Sequence, residues 1–433
     1  MENTREIVLE TLLTLERGEE FSHRLIRAVL DKYNYMEERD KAFIKRLTEG
    51  TIERKIELDY YLDRLSSVPA RRMKPFIRCL MRMSVYQLLY MDNVPDSAVC
   101  NEACKLAQRH RFGSLKGFVN GVLRNVARQR ANLPLPDRDQ NLQEYLSVKY
   151  SMPLWIVQMW TENYGNECTE NILRGLLEIH PVSLRFRTGL AEAERESLVR
   201  QMEAAGAKLR ESGILPYLYM VENTENIKDL PGFAEGKFTV QDGSSAMAVE
   251  AAGIREGDVV LDICSAPGGK SLLAAEKAGE TGSVLSRDVS EYKCGLIREN
   301  IVRMGVHNIT VEVHDATQTD EKWIRQTDVV LADVPCSGLG VMGKKRDIKY
   351  HVSPESLAAV ETLQRQILQS SWDYVRPGGV LLYSTCTINP SENERMARWI
   401  AEQFPFTLEE ERQFMPGEDE TDGFYYARLR RKE

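Results

Sequence analysis

DVVLDICSAPGGKS, residues 258–271, is a short apolar run that breaks into small residues and two glycines. Comparable runs recur downstream, at GSVLSRD (282–288), ITVEV (309–313), DVVLADV (328–334) and GGVLLYST (378–385), with helical stretches between them. Short apolar runs that alternate with helices predict a doubly wound α/β sheet. A last strand is predicted in DGFYYARLRR (422–431), from Phe424, Tyr426 and Leu429. Ligands of such sheets bind beyond the carboxyl ends of the strands. The loop 264–270, Asp288, Asp315, Asp333 and the run Ser384 to Thr387 all fall at such ends, so one crevice is expected to gather them.

The first loop bears on the kind of ligand. Small residues let a ligand approach the backbone, and the helix that follows offers free N–H groups at its start. A Walker A pattern aligns on 264–271. Cys264 replaces its first glycine, however, and Pro267 has no N–H to give a phosphate. A P-loop NTPase is thus the rival reaction class. The dinucleotide fingerprint G-x-G-x-x-G is absent from this loop. Asp288 stands about 20 residues beyond the loop glycines, where an acid accepts hydrogen bonds from ribose hydroxyls.

Eight cysteines are scattered along the 433 residues and none forms a C-x-x-C pair. That argues against a disulfide framework or a zinc site, and for a reducing, cytoplasmic setting. A lone buried cysteine is commonly a small hydrophobe. Cys79, Cys100, Cys104, Cys168, Cys264 and Cys294 are read that way. Cys336 and Cys386 differ, because each follows a strand in a loop rich in Gly, Ser, Thr or Pro. Two thiols without metal-ligand spacing point to covalent catalysis. Ser391 and Glu394 form an S-x-x-E pattern that predicts a helix start shortly after Cys386.

Upstream of the sheet, residues 1–130 read as all helix, with helical spacing in Ile26, Val29, Leu30 and Tyr33. Two segments there are basic and poor in acid. Ser66 to Met91 carries Arg71, Arg72, Lys74, Arg78 and Arg82 and no acid. Ser97 to Arg130 carries Lys105, Arg109, Arg111, Lys116, Arg124, Arg128 and Arg130 against Glu102 alone. In a chain of net charge −8 such local excess marks an RNA or phosphate surface. ANLPLPDRD (131–139) reads as a linker. A smaller mixed segment follows, with a helix after Pro153 burying Trp155, Met159 and Trp160. It continues with a strand in HPVSLRFRT (180–188), a helix near 190–205 and a strand in LPYLYMV (215–221). The composition, 42% hydrophobic and 28% charged, is that of a globular protein, and no apolar run is long enough to cross a membrane. MENTREIVLE lacks the features of a signal peptide.

APGGK, DVPCSG, STCT and DGFYYARL, in this order, resemble the RNA 5-methylcytosine methyltransferases that use S-adenosylmethionine. NEACKLAQRH and FVNGVLRNV, within 101–126, resemble the helical RNA-binding domain of NusB. Together they resemble the RsmB/Sun/Fmu-type ribosomal RNA (cytosine-5)-methyltransferases, over nearly the whole chain. The resemblance implies a multidomain fold: an all-α NusB-like RNA-binding domain (1–135), a small α/β RNA-contacting subdomain (140–235) and a class I, Rossmann-like α/β methyltransferase domain (236–433). It implies methylation of carbon 5 of a cytosine in small-subunit 16S ribosomal RNA, with transfer RNA as the alternative substrate. A non-catalytic RNA-binding protein is the alternative outside enzymes. The nucleophile is then Cys386, with Cys336 assisting proton removal or product release and Asp333 between cofactor and cytosine. Pro335-Cys336 also looks like the Pro-Cys nucleophile of DNA cytosine methyltransferases, which leaves the assignment of the two cysteines to experiment. The cofactor contacts implied are Cys264, Ser265, Ala266, Pro267, Gly268, Gly269, Lys270, Asp288, Asp315 and Asp333. Arg187 stands where the family usually has Asn. After Cys336, GLGVMGKKRDIKY carries Lys344, Lys345, Arg346 and Lys349, cations that can meet phosphates. A cytoplasmic monomer without metal or membrane is expected.

Overall fold

Helix Pro75–Tyr90 is apolar on most of its surface, and a helix of that kind is stable only when other elements cover it. In the computed structural model five helices do so: Thr4–Glu16, Glu38–Glu53, Lys55–Leu65, Asp96–Arg109 and Lys116–Gln129. Leu9, Leu47, Leu62, Leu80, Val85, Ala107, Leu123 and Val126 fill the core between them. The structure describes residues 3–18, 20–178, 181–222, 224 and 226–433. Contacts divide the chain into two units. One is the chain up to Leu177 with Lys344–His351, the other Glu178–Gly343 with Val352–Glu433.

The boundaries expected near 135–140 and 235 fall inside these units. Residues 133–141 are irregular, as a linker should be, yet both flanks belong to one unit. Helices Leu142–Lys149 and Leu154–Gly175 complete the helical unit, the second kinked at Gly165, where φ is +79°. Trp160 is fully buried, whereas Trp155 and Met159 are only half-buried.

The helical unit also contains a piece from far along the chain. Arg346 pairs with Glu49 and Glu53. Lys349 is buried, and its ammonium donates to the carbonyls of Glu53 at 2.8 Å and Ser151 at 2.6 Å. These two cations, expected to meet phosphates, are consumed inside the protein; Lys344 and Lys345 stay exposed. The basic segments divide in the same way. Arg82 is buried against Asp59 through two bonds of 2.6 Å, and Arg78 holds Glu16. Arg109 pairs with Glu6 and Arg130 with Asp96. Arg71, Arg72, Lys74, Arg111, Lys116 and Arg124 are exposed.

The second unit opens with a four-stranded antiparallel sheet of β1 (Val182–Phe186), β2 (Lys208–Glu211), β3 (Leu218–Glu222) and β4 (Phe238–Val240), in the order β2-β3-β1-β4. His180 of the expected first strand lies outside the described residues. Helix Glu192–Ala204 is where the sequence places it. Next comes the seven-stranded sheet: β5 (Val259–Asp262), β6 (Ser283–Asp288), β7 (Ile309–Val313), β8 (Thr327–Asp333), β9 (Val375–Thr385), β10 (Phe406–Phe414) and β11 (Phe424–Arg431). Its order is β10-β11-β9-β8-β5-β6-β7. β5 to β9 run parallel, and β11 is antiparallel to both of its neighbours. This is the doubly wound α/β sheet that the sequence predicts, with one antiparallel strand pair added at its edge. From β5 the chain steps to β6 and β7 on one side, then returns to β8 on the other. The crevice expected at such a reversal therefore opens between β5 and β8.

Candidate active site

β5 ends at Asp262, and the loop after it turns back through Gly268, whose φ of +101° only glycine adopts readily. Three bonds fasten the loop to the end of β6: Ser265 N and Ser265 Oγ to the Arg287 carbonyl at 2.8 and 3.0 Å, and Ala266 N to Asp288 Oδ2 at 3.2 Å. Helix Gly269–Ala278 starts directly behind it, so its first N–H groups face the crevice end. Asp288 is buried and also meets Val289 N and Lys293 Nζ. Asp315 lies apart, exposed beyond β7 and engaged with Thr317.

A cavity of about 230 Å³ opens at the β5–β8 reversal. It is lined by Asp262, Cys264 to Pro267, Gly269, Lys270, Asp333 and Cys386, and closed by Gln241, Ser244 and Phe424. Asp333 ends β8. Its Oδ2 accepts from Lys270 Nζ at 2.7 Å and its Oδ1 from Ser384 Oγ at 2.9 Å. Burial disfavours the Lys270 charge, but Asp333, Asp262 and Cys386 outweigh burial and raise its pKa.

Cys336 and Cys386 stand at the ends of adjacent strands, β8 and β9, with sulfurs 3.2 Å apart. The hydrogen bond with Cys386 pushes the Cys336 thiol up, and burial, Glu392 and Asp333 push it further. Burial and the surrounding aspartates likewise raise Cys264, which fits its reading as a small hydrophobe.

Two features escape the sequence pattern. Asp262 is fully buried; its Oδ2 accepts from Ser271 Oγ at 2.6 Å, while Oδ1 has no hydrogen-bond partner among the described residues. An unpaired acceptor at a cavity wall, beside an acid and a row of loop N–H groups, suits a ligand that carries an ammonium, a sulfonium and ribose hydroxyls. The second feature is the turn after Cys386. The S-x-x-E box does not form. The helix starts at Glu394 with Asn393 as its cap residue, and Asn389, Glu392 and Asn393 turn inward. Their only signal is a polar run, INPSEN, with no period to reveal which residues face in.

Among the described residues no group of His, Cys, Asp and Glu could hold a metal ion, and no helix is long and apolar enough to cross a membrane.

Residues 250–430 match the family of 16S rRNA methyltransferase RsmB/F, and residues 2–128 match the NusB family. A probable ribosomal RNA small subunit methyltransferase B of Bacillus subtilis (strain 168) is 32% identical over 450 residues, covering 99% of each chain. The ribosomal RNA small subunit methyltransferase B of Proteus mirabilis (strain HI4320) is 31% identical over 398 residues, covering 91% of each. Among solved structures, PH0851 superposes with a TM-score of 0.81 at 24% identity, over 100% of this chain and 99% of that one. NSun6 from Pyrococcus horikoshii, solved with SFG, superposes with a TM-score of 0.57 at 22% identity, over 64% of this chain and 97% of that one.

Proposed function

The chain belongs to the ribosomal RNA small subunit methyltransferase B family and is an S-adenosylmethionine-dependent methyltransferase; from that premise we propose that it methylates carbon 5 of a cytosine in 16S ribosomal RNA through a covalent bond to Cys386. The observation that carries this reading is the pair of sulfurs 3.2 Å apart, of which Cys386 lines the cavity. In this reading the helical unit and the sheet β1–β4 hold the RNA, and a monomer in the cytoplasm does the work.

The loop 264–270 and Asp288 hold the cofactor, Asp288 taking the ribose and the loop the amino-acid end, with Asp315 and Lys270 at its margins. When bound, the cofactor supplies the electrophilic methyl group that carbon 5 takes. Cytosine carbon 5 is a poor nucleophile on its own. The Cys386 thiolate adds to carbon 6, which makes carbon 5 enamine-like. Asp333, fixed by Lys270 and Ser384, accepts hydrogen bonds from the base and holds its orientation. After transfer the carbon 5 proton passes to solvent, with Cys336 assisting, and the electron pair of that C–H bond restores the 5,6 double bond as the carbon–sulfur bond breaks to return the Cys386 thiolate. The target base has to leave its stack to enter the cavity.

Denaturing gel electrophoresis tests it. Incubated with methyl donor and a 16S RNA fragment, Cys386→Ala is expected to form no denaturant-resistant protein–RNA complex, and Cys336→Ala to accumulate one. The reverse pattern would move the nucleophile to Cys336. Accumulation with transfer RNA and not with the 16S fragment would change the substrate.

A further inference from the structure

Behind the two sulfurs lies a carboxylate that takes no part in the steps above. Glu392 has no exposed surface. Its Oε2 accepts from the Ser337 backbone N–H at 2.9 Å and from Gln364 Nε2 at 3.0 Å. Its Oε1 accepts from the Ser337 hydroxyl and from Asn389 Nδ2 at 2.9 Å. A buried charge is tolerated when hydrogen bonds satisfy it, and here four donors converge on it.

Two of the donor residues, Ser337 and Gln364, are tied to the turns that carry the cysteines. Ser337 follows Cys336, and its hydroxyl also lies 2.7 Å from the hydroxyl of Thr387, the residue after Cys386. Gln364 donates on to the carbonyl of Pro335, the residue before Cys336, at 2.9 Å. Asn393, next to Glu392, bridges both neighbours of Cys386: it accepts from Thr385 Oγ1 at 2.6 Å and donates to the Thr387 carbonyl at 3.0 Å. We propose that Glu392 is a positioning residue of this active site, whose carboxylate locks the Pro335–Ser337 turn to the loop after Cys386 and so sets the spacing of the two sulfurs. The inference rests on the reading that both cysteines act in the reaction. A glutamine has the same size, but its NH₂ can accept nothing and would face donors.

The test uses the full chain, steady-state methylation of a 16S fragment, and calorimetry with the methyl donor. Glu392→Gln is expected to lower kcat by about 10²-fold, the scale of a misplaced reacting group. KM for RNA and cofactor affinity should stay at the wild-type values. Ser337→Ala removes one hydroxyl that serves both contacts, and about a tenfold loss in kcat is expected, again with KM unchanged. Wild-type turnover in both variants, or a loss in the KM for RNA alone, overturns the proposal. If Glu392→Gln no longer binds cofactor, Ser337→Ala decides on the same criteria. Failure of the underlying reading shows separately, as a covalent complex that persists in Cys386→Ala on the same gel.

Discussion

Burial pushes the Asp262 carboxyl up to about 7, Asp333 adds to the rise, and Ser271 and Lys270 oppose it. An unfolded chain releases that proton near pH 4. Between those values the folded protein holds a proton that the unfolded chain has lost. The stability this group contributes is complete below about pH 4 and is lost as the pH rises through about 7. Asp262→Asn keeps an oxygen for Ser271 and removes the titration. Melting temperatures of the cofactor-free protein at pH 4.5 and 7.5 are expected to fall less with pH in the variant than in wild type; equal slopes would refute the assignment. Asp262 also shows what residue-level reading of a sequence can reach. Cys336, Cys386 and Asp333 stand out because their loops are distinctive. Asp262 lies inside an equally distinctive loop, yet nothing in its neighbours announces an oxygen sealed from solvent. Lys270 and Asp333 are 63 positions apart and meet only because the sheet order sets β5 beside β8.

At the scale of elements, the parallel strands were legible from apolar runs because both of their faces are covered. β10 was not. Its Glu409, Glu410 and Glu411 form a run of charge with no apolar alternation, but they answer residues across the strand pair. Glu409 meets Arg428 and Arg430, Glu410 meets the Tyr426 hydroxyl, and Glu411 meets the Tyr425 hydroxyl. The pattern becomes a strand only once β11 lies alongside. Loop packing was equally hidden. Gly340 and Gly423 press backbone to backbone, with Gly423 N donating to the Gly340 carbonyl at 2.9 Å. A Cβ on Gly340 would fall 1.8 Å from the Gly423 carbonyl oxygen. Gly340 N also donates to the Cys386 carbonyl at 3.2 Å, so displacing it disturbs the catalytic loop. Gly340→Ala is expected to cost about 1–3 kcal/mol of stability, the usual penalty for overpacking. Thermal unfolding measures this, and methylation should fall with it; an unchanged melting temperature would contradict the close approach.

At the scale of the whole molecule, charge on the helical unit is sorted by pairing. Arg78, Arg82, Arg109 and Arg130 are paired within the unit, while Arg71, Arg72 and Arg124 face solvent. Asn125 Nδ2 donates to the Leu65 carbonyl at 3.3 Å, which ties the helix of Arg124 to the start of the loop that carries Arg71 and Arg72. Reversing these three to Glu is expected to weaken RNA binding and to flatten its salt dependence by about two to three in log–log slope, since each phosphate contact releases a counterion. Cofactor affinity should not change. Filter binding from low to moderate salt checks this, and an unaltered slope would reduce the three arginines to plain surface. The sequence showed the excess of cations; it could not separate those spent on Glu16, Asp59 and Glu6 from those left outside.

Lys344–His351 belongs to the helical unit although 166 residues of the other unit, 178–343, precede it in the chain. On the ribosome this order has a consequence in time. The first 177 residues emerge with a gap where Lys349 and Tyr350 will sit, and the carbonyls of Glu53, Ser151 and Ile52 lack these donors. At about 5–20 residues per second, the missing strip arrives on the order of ten to thirty seconds later. The amino-terminal unit therefore starts folding first and finishes only after much of the catalytic sheet has been synthesised.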